Sequence, residues 1–183
     1  MIRYIADWVL PINGPVLNPG WVEVDGGIVV GLGKVDSMGP PLAPVVSLGP
    51  TAVLPALVNA HTHLELSDLR GAIPPVSSMP DWVDHLLSRR ASSELPDSTK
   101  IKEAIAEARA SGTGLFGDIG NTMAAVPELV MAGVGARFFC EILAFPDEGA
   151  ASVVDRVVEE VCVVAKTDEL RFGLAAHAPF SVG

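Results

Sequence analysis

Two histidines one residue apart, His61 and His63, are the residues of this chain best suited to chemistry. They end a short apolar run, residues 54–60, whose composition predicts a buried strand. Side chains alternate faces along a strand, so both imidazoles are expected on one side and Thr62 on the other. Two imidazoles side by side at a strand end form half of a metal site. The alternative is a hydrogen-bonded pair in a turn, but the strand before the pair favours a metal.

From this run onward, short apolar strands alternate with amphipathic helices. This alternation predicts βαβ units and a parallel sheet, in which chemistry lies at the carboxyl ends of the strands. His61, His63, Glu141 and His177 all fall at such ends. The predicted strands lie near 55–61, 114–119, 136–141 and 170–176. Of the four predicted helices, the first begins at Pro80 and the others span 98–110, 127–132 and 150–166.

The preceding residues, 1–54, have the composition of short strands and loops. Asp25-Gly26-Gly27 separates two β-rich runs and predicts a hairpin. We therefore divide the chain into a β-rich domain over 1–54 and an α/β domain over 55–183.

The segment from Pro55 to His63 resembles the first barrel strand of the metal-dependent amidohydrolase superfamily. The resemblance is to the branch with cytosine, guanine, adenosine-type and chlorotriazine hydrolases. It implies an α/β fold, the N-terminal half of a (β/α)8 TIM barrel preceded by part of a small β-sandwich. A full barrel needs about 250 residues, so the 183 residues should match the first four strands only. The runs 64–67, 117–122 and 141–143 resemble aminofutalosine-deaminase-like proteins.

The resemblance implies one divalent metal, zinc or alternatively iron, held by His61 and His63 together with later ligands. The metal would activate a water that attacks a purine-like or other small nitrogen heterocycle. His177 would face this substrate rather than bind the metal. Binuclear relatives carry a carboxylated lysine at the fourth strand end, but this chain has His177 there and Lys166 too early, which favours a mononuclear site. The family's remaining ligands and proton-shuttling glutamate come from later strands, so no catalytic residue is expected in this chain.

Two other functions remain open. One is ring-opening hydrolysis of a cyclic amide, as in imidazolonepropionase. The other is a non-catalytic, truncated half-barrel, and either a second chain or a homo-oligomer could complete the barrel. Whether a second polypeptide supplies the missing ligands would distinguish an enzyme from a non-catalytic half-barrel.

Composition excludes several partners. A formal net charge of −10 argues against nucleic acid and against an anionic membrane surface. No apolar run reaches membrane length, and Asp7 and Pro11 interrupt any signal-peptide core. Cys140 and Cys162 lie in apolar periodic segments and indicate buried thiols in a reducing cytoplasm.

Two further polar residues have modest predicted roles. His85 is expected on a helix surface. Glu65 is close enough to the histidines to contact a substrate, but a hydrogen-bonded or solvated carboxylate is the favoured interpretation.

Overall fold

The computed structural model describes residues 1–40, 42–92, 96–143, 149–163, 169–179 and 181, without the side chains of 162 and 163. The chain divides into two compact units, Met1–Pro55 and Ala56–Gly183. The predicted end of the last helix, including Lys166, and the side chain of Cys162 lie outside the described residues. Cys140 is buried and free.

The first unit is built from short strands. The strands are β1 (Ile2–Ala6), β2 (Trp8–Val9), β3 (Gly20–Asp25), β4 (Ile28–Lys34), β5 (Val45–Ser47) and β6 (Ala52–Val53). One sheet has the order β4-β3-β1-β5, with β3 antiparallel to both β1 and β4, and β2 pairs with β6 separately. Gly26 and Gly27 link β3 to β4 with φ of +55° and +83°, a conformation that glycine adopts without strain. The predicted hairpin is confirmed.

The second unit contains a four-stranded parallel sheet in which each strand pairs with the next along the chain. The strands are β7 (Leu57–Thr62), β8 (Thr113–Gly120), β9 (Gly135–Ile142) and β10 (Leu170–Ala176). Their order in the sheet is β10-β9-β8-β7, and all three pairings are parallel. The four predicted strands and their parallel arrangement are confirmed.

Helices connect these strands, and their ends follow from local chemistry. The helices are the 3-10 segment Leu64–Leu69, α1 (Met79–Ala91), α2 (Ser98–Ala110), α3 (Ala125–Ala132) and α4 (Ala150–Val163). The side chains of Ser78 and Asp97 cap α1 and α2 by accepting hydrogen bonds from backbone N–H groups, and Gly133 ends α3 in the left-handed region at φ +59°. The prediction placed the start of α3 two residues late, at Pro127, which occupies the third position of its first turn.

The hydrophobic core of this unit lies between one face of the sheet and the helices α2, α3 and α4. Phe116 of β8 and Phe138 of β9 are buried against Ile105 of α2 and Leu129 of α3. On the other face of the sheet, Val58 and Leu115 are exposed. Among the described residues, the structure has no helix with the length and apolar character needed to cross a membrane.

Candidate active site

His61 and His63 bring their Nε2 atoms to 3.2 Å from each other. Their ring centroids are 5.1 Å apart and their planes are inclined by 72°. A metal bonded to both nitrogens at about 2.0–2.1 Å would span this separation with a bond angle of roughly 100°, close to tetrahedral. The two residues therefore fit two positions of a zinc site.

A backbone carbonyl selects the tautomer of His63. Its Nδ1 lies 2.9 Å from the carbonyl oxygen of Ile119 at the end of β8. A carbonyl oxygen can only accept, so Nδ1 carries a proton, and in the neutral imidazole Nε2 is then the nitrogen with the lone pair. Metal-binding histidines are commonly oriented by such a contact.

A bulge in β7 decides which face of the sheet carries the pair. Asn59 lies opposite Phe116 and Thr62 lies opposite Asp118, so three steps along β7 match two along β8. Regular alternation would put Asn59 and Thr62 on opposite faces, whereas the bulge puts both on the helix-covered face. His61, next to Thr62, is thereby turned to the opposite face.

Two neighbours accommodate this bulge. The side-chain oxygen of Asn59 accepts a hydrogen bond of 3.3 Å from the backbone N–H of His61. Gly117 in β8 leaves room for the displaced backbone, since a Cβ there would lie 2.5 Å from the carbonyl oxygen of Ala60.

Glu65 is a buried carboxylate with several hydrogen bonds, and only 4% of it is exposed. One oxygen accepts from the backbone N–H of Asn121 at 3.1 Å and from Arg90 at 3.2 Å. The other accepts from the backbone N–H and the hydroxyl of Thr122, at 2.9 and 2.8 Å. The prediction of a hydrogen-bonded carboxylate is confirmed. Glu65 joins the segment after the histidines to the turn after β8.

A chain of side chains continues from this turn to His177. The amide nitrogen of Asn121 donates to Oε2 of Glu141 at 2.9 Å. Oε1 of the same carboxylate lies 2.6 Å from Nδ1 of His177. The carboxyl ends of β8, β9 and β10 are therefore connected by direct polar contacts.

Asp118 is an acidic group buried beneath the histidine segment, with 1% of its surface exposed. Its Oδ1 accepts from the backbone N–H of Leu64 at 2.8 Å, while Oδ2 has no hydrogen-bond partner. Burial, with a smaller contribution from the charge of Glu65, raises the pKa of this carboxyl from 3.8 to about 7. Asp118 and Ile119 together hold the backbone and ring of the segment from His63 to Leu64.

Within the described parts of the chain, no three or more His, Cys, Asp or Glu side chains are grouped to hold a metal ion. His61 and His63 are a pair, and His177 belongs to the contact with Glu141. His85 is exposed on α1, with Nδ1 2.7 Å from the carbonyl oxygen of Asp81, as expected for a helix-surface residue.

Sequence reasoning gave no role to Arg90, Asn121 or Asp118. Asn121 follows the last residue of β8, so the same strand-end rule that selected Glu141 could have selected it. Asp118 lies in an apolar strand, where the presence of a carboxylate itself indicates a specific role for the residue. Arg90 lies in the last turn of α1, and nothing in its neighbourhood in the sequence indicates its contact with Glu65.

Residues 52–183 match the model of the amidohydrolase family. The chain belongs to the amidohydrolase family. This amidohydrolase chain is 29% identical over 134 residues to an adenosine deaminase of Helicobacter pylori, and the match covers 72% of the chain and 32% of that protein.

Solved structures share the fold of this amidohydrolase chain. H. pylori aminofutalosine deaminase in complex with methylthio-coformycin is 26% identical, with a TM-score of 0.81 over 100% of this chain and 45% of that one. Atrazine chlorohydrolase from Arthrobacter aurescens, complexed with zinc, is 18% identical, with a TM-score of 0.78 over 100% and 48%. Guanine deaminase from C. acetobutylicum is 10% identical, with a TM-score of 0.74 over 99% and 47%.

The chain spans about a third of the curated relative and less than half of each solved structure. The predicted fold is confirmed as the N-terminal half of a (β/α)8 barrel preceded by part of a small β-sandwich.

Proposed function

We propose that this chain forms the first half of a metal-dependent hydrolase that removes ammonia from a purine-like nitrogen heterocycle. One observation carries the proposal. The Ile119 carbonyl leaves the Nε2 lone pair of His63 available, and this atom lies 3.2 Å from Nε2 of His61. Two convergent imidazole nitrogens at the end of a barrel strand suit metal-assisted hydrolysis.

Zinc is the proposed metal, with iron as the alternative, and the related chlorohydrolase was crystallised with zinc. When bound, such a metal makes a water nucleophilic near neutral pH. His61 and His63 would hold it, and the carbonyl of Ile119 would orient His63. We propose that a later segment or a second chain, or another copy in a homo-oligomer, supplies the other ligands and the proton-shuttling carboxylate.

His177 is proposed to contact the heterocycle. Its Nδ1 lies 2.6 Å from Oε1 of Glu141, which fixes the ring at the carboxyl end of β10. The role of Glu141 in this proposal is to orient the imidazole. In this role His177 binds and orients the substrate, and it does not bind the metal.

Two relatives support the choice of substrate class. The curated relative is an adenosine deaminase, and the solved aminofutalosine deaminase holds methylthio-coformycin. Both names indicate nucleoside-like ligands, and we extend that class to this chain. The cytoplasmic location inferred from the cysteines stays a prediction.

The test uses the 183-residue chain co-expressed with a polypeptide that supplies the remaining barrel strands. Ammonia release from aminopurine nucleosides is expected, with loss of turnover in His61→Ala and His63→Ala. His85→Ala is the matched control, since this exposed histidine lies outside the site, and it should retain full activity. Ring opening of cyclic amides without ammonia would establish the imidazolonepropionase-like alternative. No turnover of either class would contradict the proposal and favour a non-catalytic half-barrel.

A further inference from the structure

Asn121 is held on three sides by groups from three different elements. Its backbone N–H donates to Oε1 of Glu65 at 3.1 Å. Its side-chain oxygen accepts from Nη1 of Arg90 at 3.0 Å, and its side-chain nitrogen donates to Oε2 of Glu141 at 2.9 Å. Glu65 and Arg90 are themselves joined at 3.2 Å. Asn121 is therefore fixed at its backbone N–H and at both the oxygen and the nitrogen of its side-chain amide.

The identities of the neighbours allow one orientation of this amide. A guanidinium can only donate, so it requires the amide oxygen. An ionised carboxylate can only accept, so it requires the amide nitrogen. Rotating the Asn121 amide by half a turn would break both contacts at once. The side chain thus presents its donor to Glu141.

Glu141 depends on that donor. Its side chain is only 10% exposed, and its two oxygens are divided between Asn121 and His177. A mostly buried carboxylate that loses a hydrogen bond is destabilised or must rotate toward another donor. Rotation of the carboxylate would also carry Oε1 away from Nδ1 of His177.

We propose that Asn121 is a positioning residue for His177, acting through Glu141. Its consequence for catalysis rests on the proposed function, because the contact of His177 with the substrate is part of that function. Glu65 and Arg90 hold the amide, the amide holds the carboxylate, and the carboxylate sets the orientation of the imidazole.

The experiment compares three variants of the chain by NMR of the histidine side chains, with the His177 signals assigned through His177→Gln. Asn121→Asp is isosteric and keeps an acceptor for Arg90, but it places a carboxylate against Glu141. Asn121→Ala removes the side chain and keeps the backbone N–H that donates to Glu65. Asn13→Asp, at an exposed position, is the control for the added charge.

Both Asn121 variants are expected to unfold cooperatively and to lose or shift the Nδ1–H resonance of His177, while the control keeps it. In the assembled enzyme, a misplaced imidazole should lower kcat/KM by about 10²-fold, with the pH profile shape changed in Asn121→Asp. Unchanged His177 resonances in either folded Asn121 variant would overturn the proposal. Loss of cooperative unfolding in both would also overturn it, because Asn121 would then be a structural residue.

The two hypotheses fail separately. Altered His177 resonances in an assembled protein that turns over no substrate would support the positioning role and contradict the proposed function. Deamination that is unaffected by Asn121→Asp, despite altered resonances, would overturn the catalytic consequence of the positioning role while the proposed function stands.

Discussion

At the scale of single residues, His61 and His63 owe their convergence to the backbone around them. The carbonyl of Ile119 fixes the tautomer of His63, and Asn59 binds the backbone N–H of His61. These contacts hold the two imidazoles in place, so the proposed pair of metal ligands is preorganised. Preorganisation favours binding, whereas two protein ligands are one fewer than a catalytic zinc usually has.

We expect weak zinc binding by the 183-residue chain that depends on both histidines. His61→Ala and His63→Ala should each lower the affinity at least tenfold, or about 1.4 kcal/mol, because each removes one of two ligands. Isothermal titration with zinc measures this, and His85→Ala is the control. Equal zinc binding by all four proteins would exclude the pair as the metal site.

Asp118 should make stability depend on pH. The folded state binds its proton more tightly than the unfolded chain does, since burial raises the pKa from 3.8 to about 7. The stabilising contribution of the protonated carboxyl is therefore present below about pH 4 and is lost as the pH rises to about 7. The free energy of unfolding should fall across this window by up to roughly 4 kcal/mol from this group.

The variant Asp118→Asn tests this, because an amide of the same shape does not titrate. Urea unfolding between pH 4 and 8 should show a flatter profile in Asp118→Asn than in the wild-type chain. Asp84→Asn, at an exposed position of α1, should follow the wild-type profile. Parallel profiles for all three proteins would show that Asp118 does not titrate in this range.

At the scale of elements, the pairing of β7 with β8 positions His61 and His63. The bulge between Asn59 and Thr62 turns the histidines away from the helix-covered face, and Gly117 makes space for it. Gly117 allows the backbones of β7 and β8 to approach closely, and it is not part of a turn. A side chain at this position would collide with the carbonyl oxygen of Ala60.

Gly117→Ala should therefore disturb both the fold and the site. The new Cβ would lie 2.5 Å from a backbone oxygen, so β7 and β8 must separate, at a cost of about 1–3 kcal/mol. We expect a lower midpoint of urea unfolding together with weaker zinc binding. Gly14→Ala is the matched control, since a Cβ there meets nothing within 4 Å. Wild-type stability of Gly117→Ala would mean that the bulge tolerates a side chain.

At the scale of the whole chain, the described helices α2, α3 and α4 pack against one face of the parallel sheet. Leu115, on the other face, is 43% exposed, and Val58 beside it is also exposed. Among the described residues, β7 and β10 each pair with a strand on one side only. Open strand edges and exposed apolar faces favour association with another polypeptide.

Self-association of the 183-residue chain is the expected result, and Leu115→Gln should reduce it by making the open face more polar. Light scattering at several concentrations measures the change in mass. Leu87→Gln is the control, because Leu87 is 57% exposed on α1, away from the sheet. A monomeric wild-type chain, or equal effects of the two substitutions, would contradict the assignment of this face as the contact surface.

The sequence by itself determined the order of elements and indicated the two histidines that we propose as metal ligands. Alternation of apolar strands and amphipathic helices is a local pattern, so the parallel sheet, the hairpin at Gly26, the start of α1 to within one residue and both ends of α2 could be read from it. His61 and His63 were identifiable because they follow a strand directly, and their types are those of metal ligands.

Only the tertiary structure decided the bulge in β7, the burial of Asp118 and the contacts of Asn121. The bulge depends on the space beside Gly117, and that space is a property of a neighbouring strand more than fifty residues away. Arg90, Asn121 and Glu141 meet because parallel strands bring their carboxyl ends to one edge of the sheet. Local patterns carry no information about such distances, so the side chains that orient His177 became visible only in the folded chain.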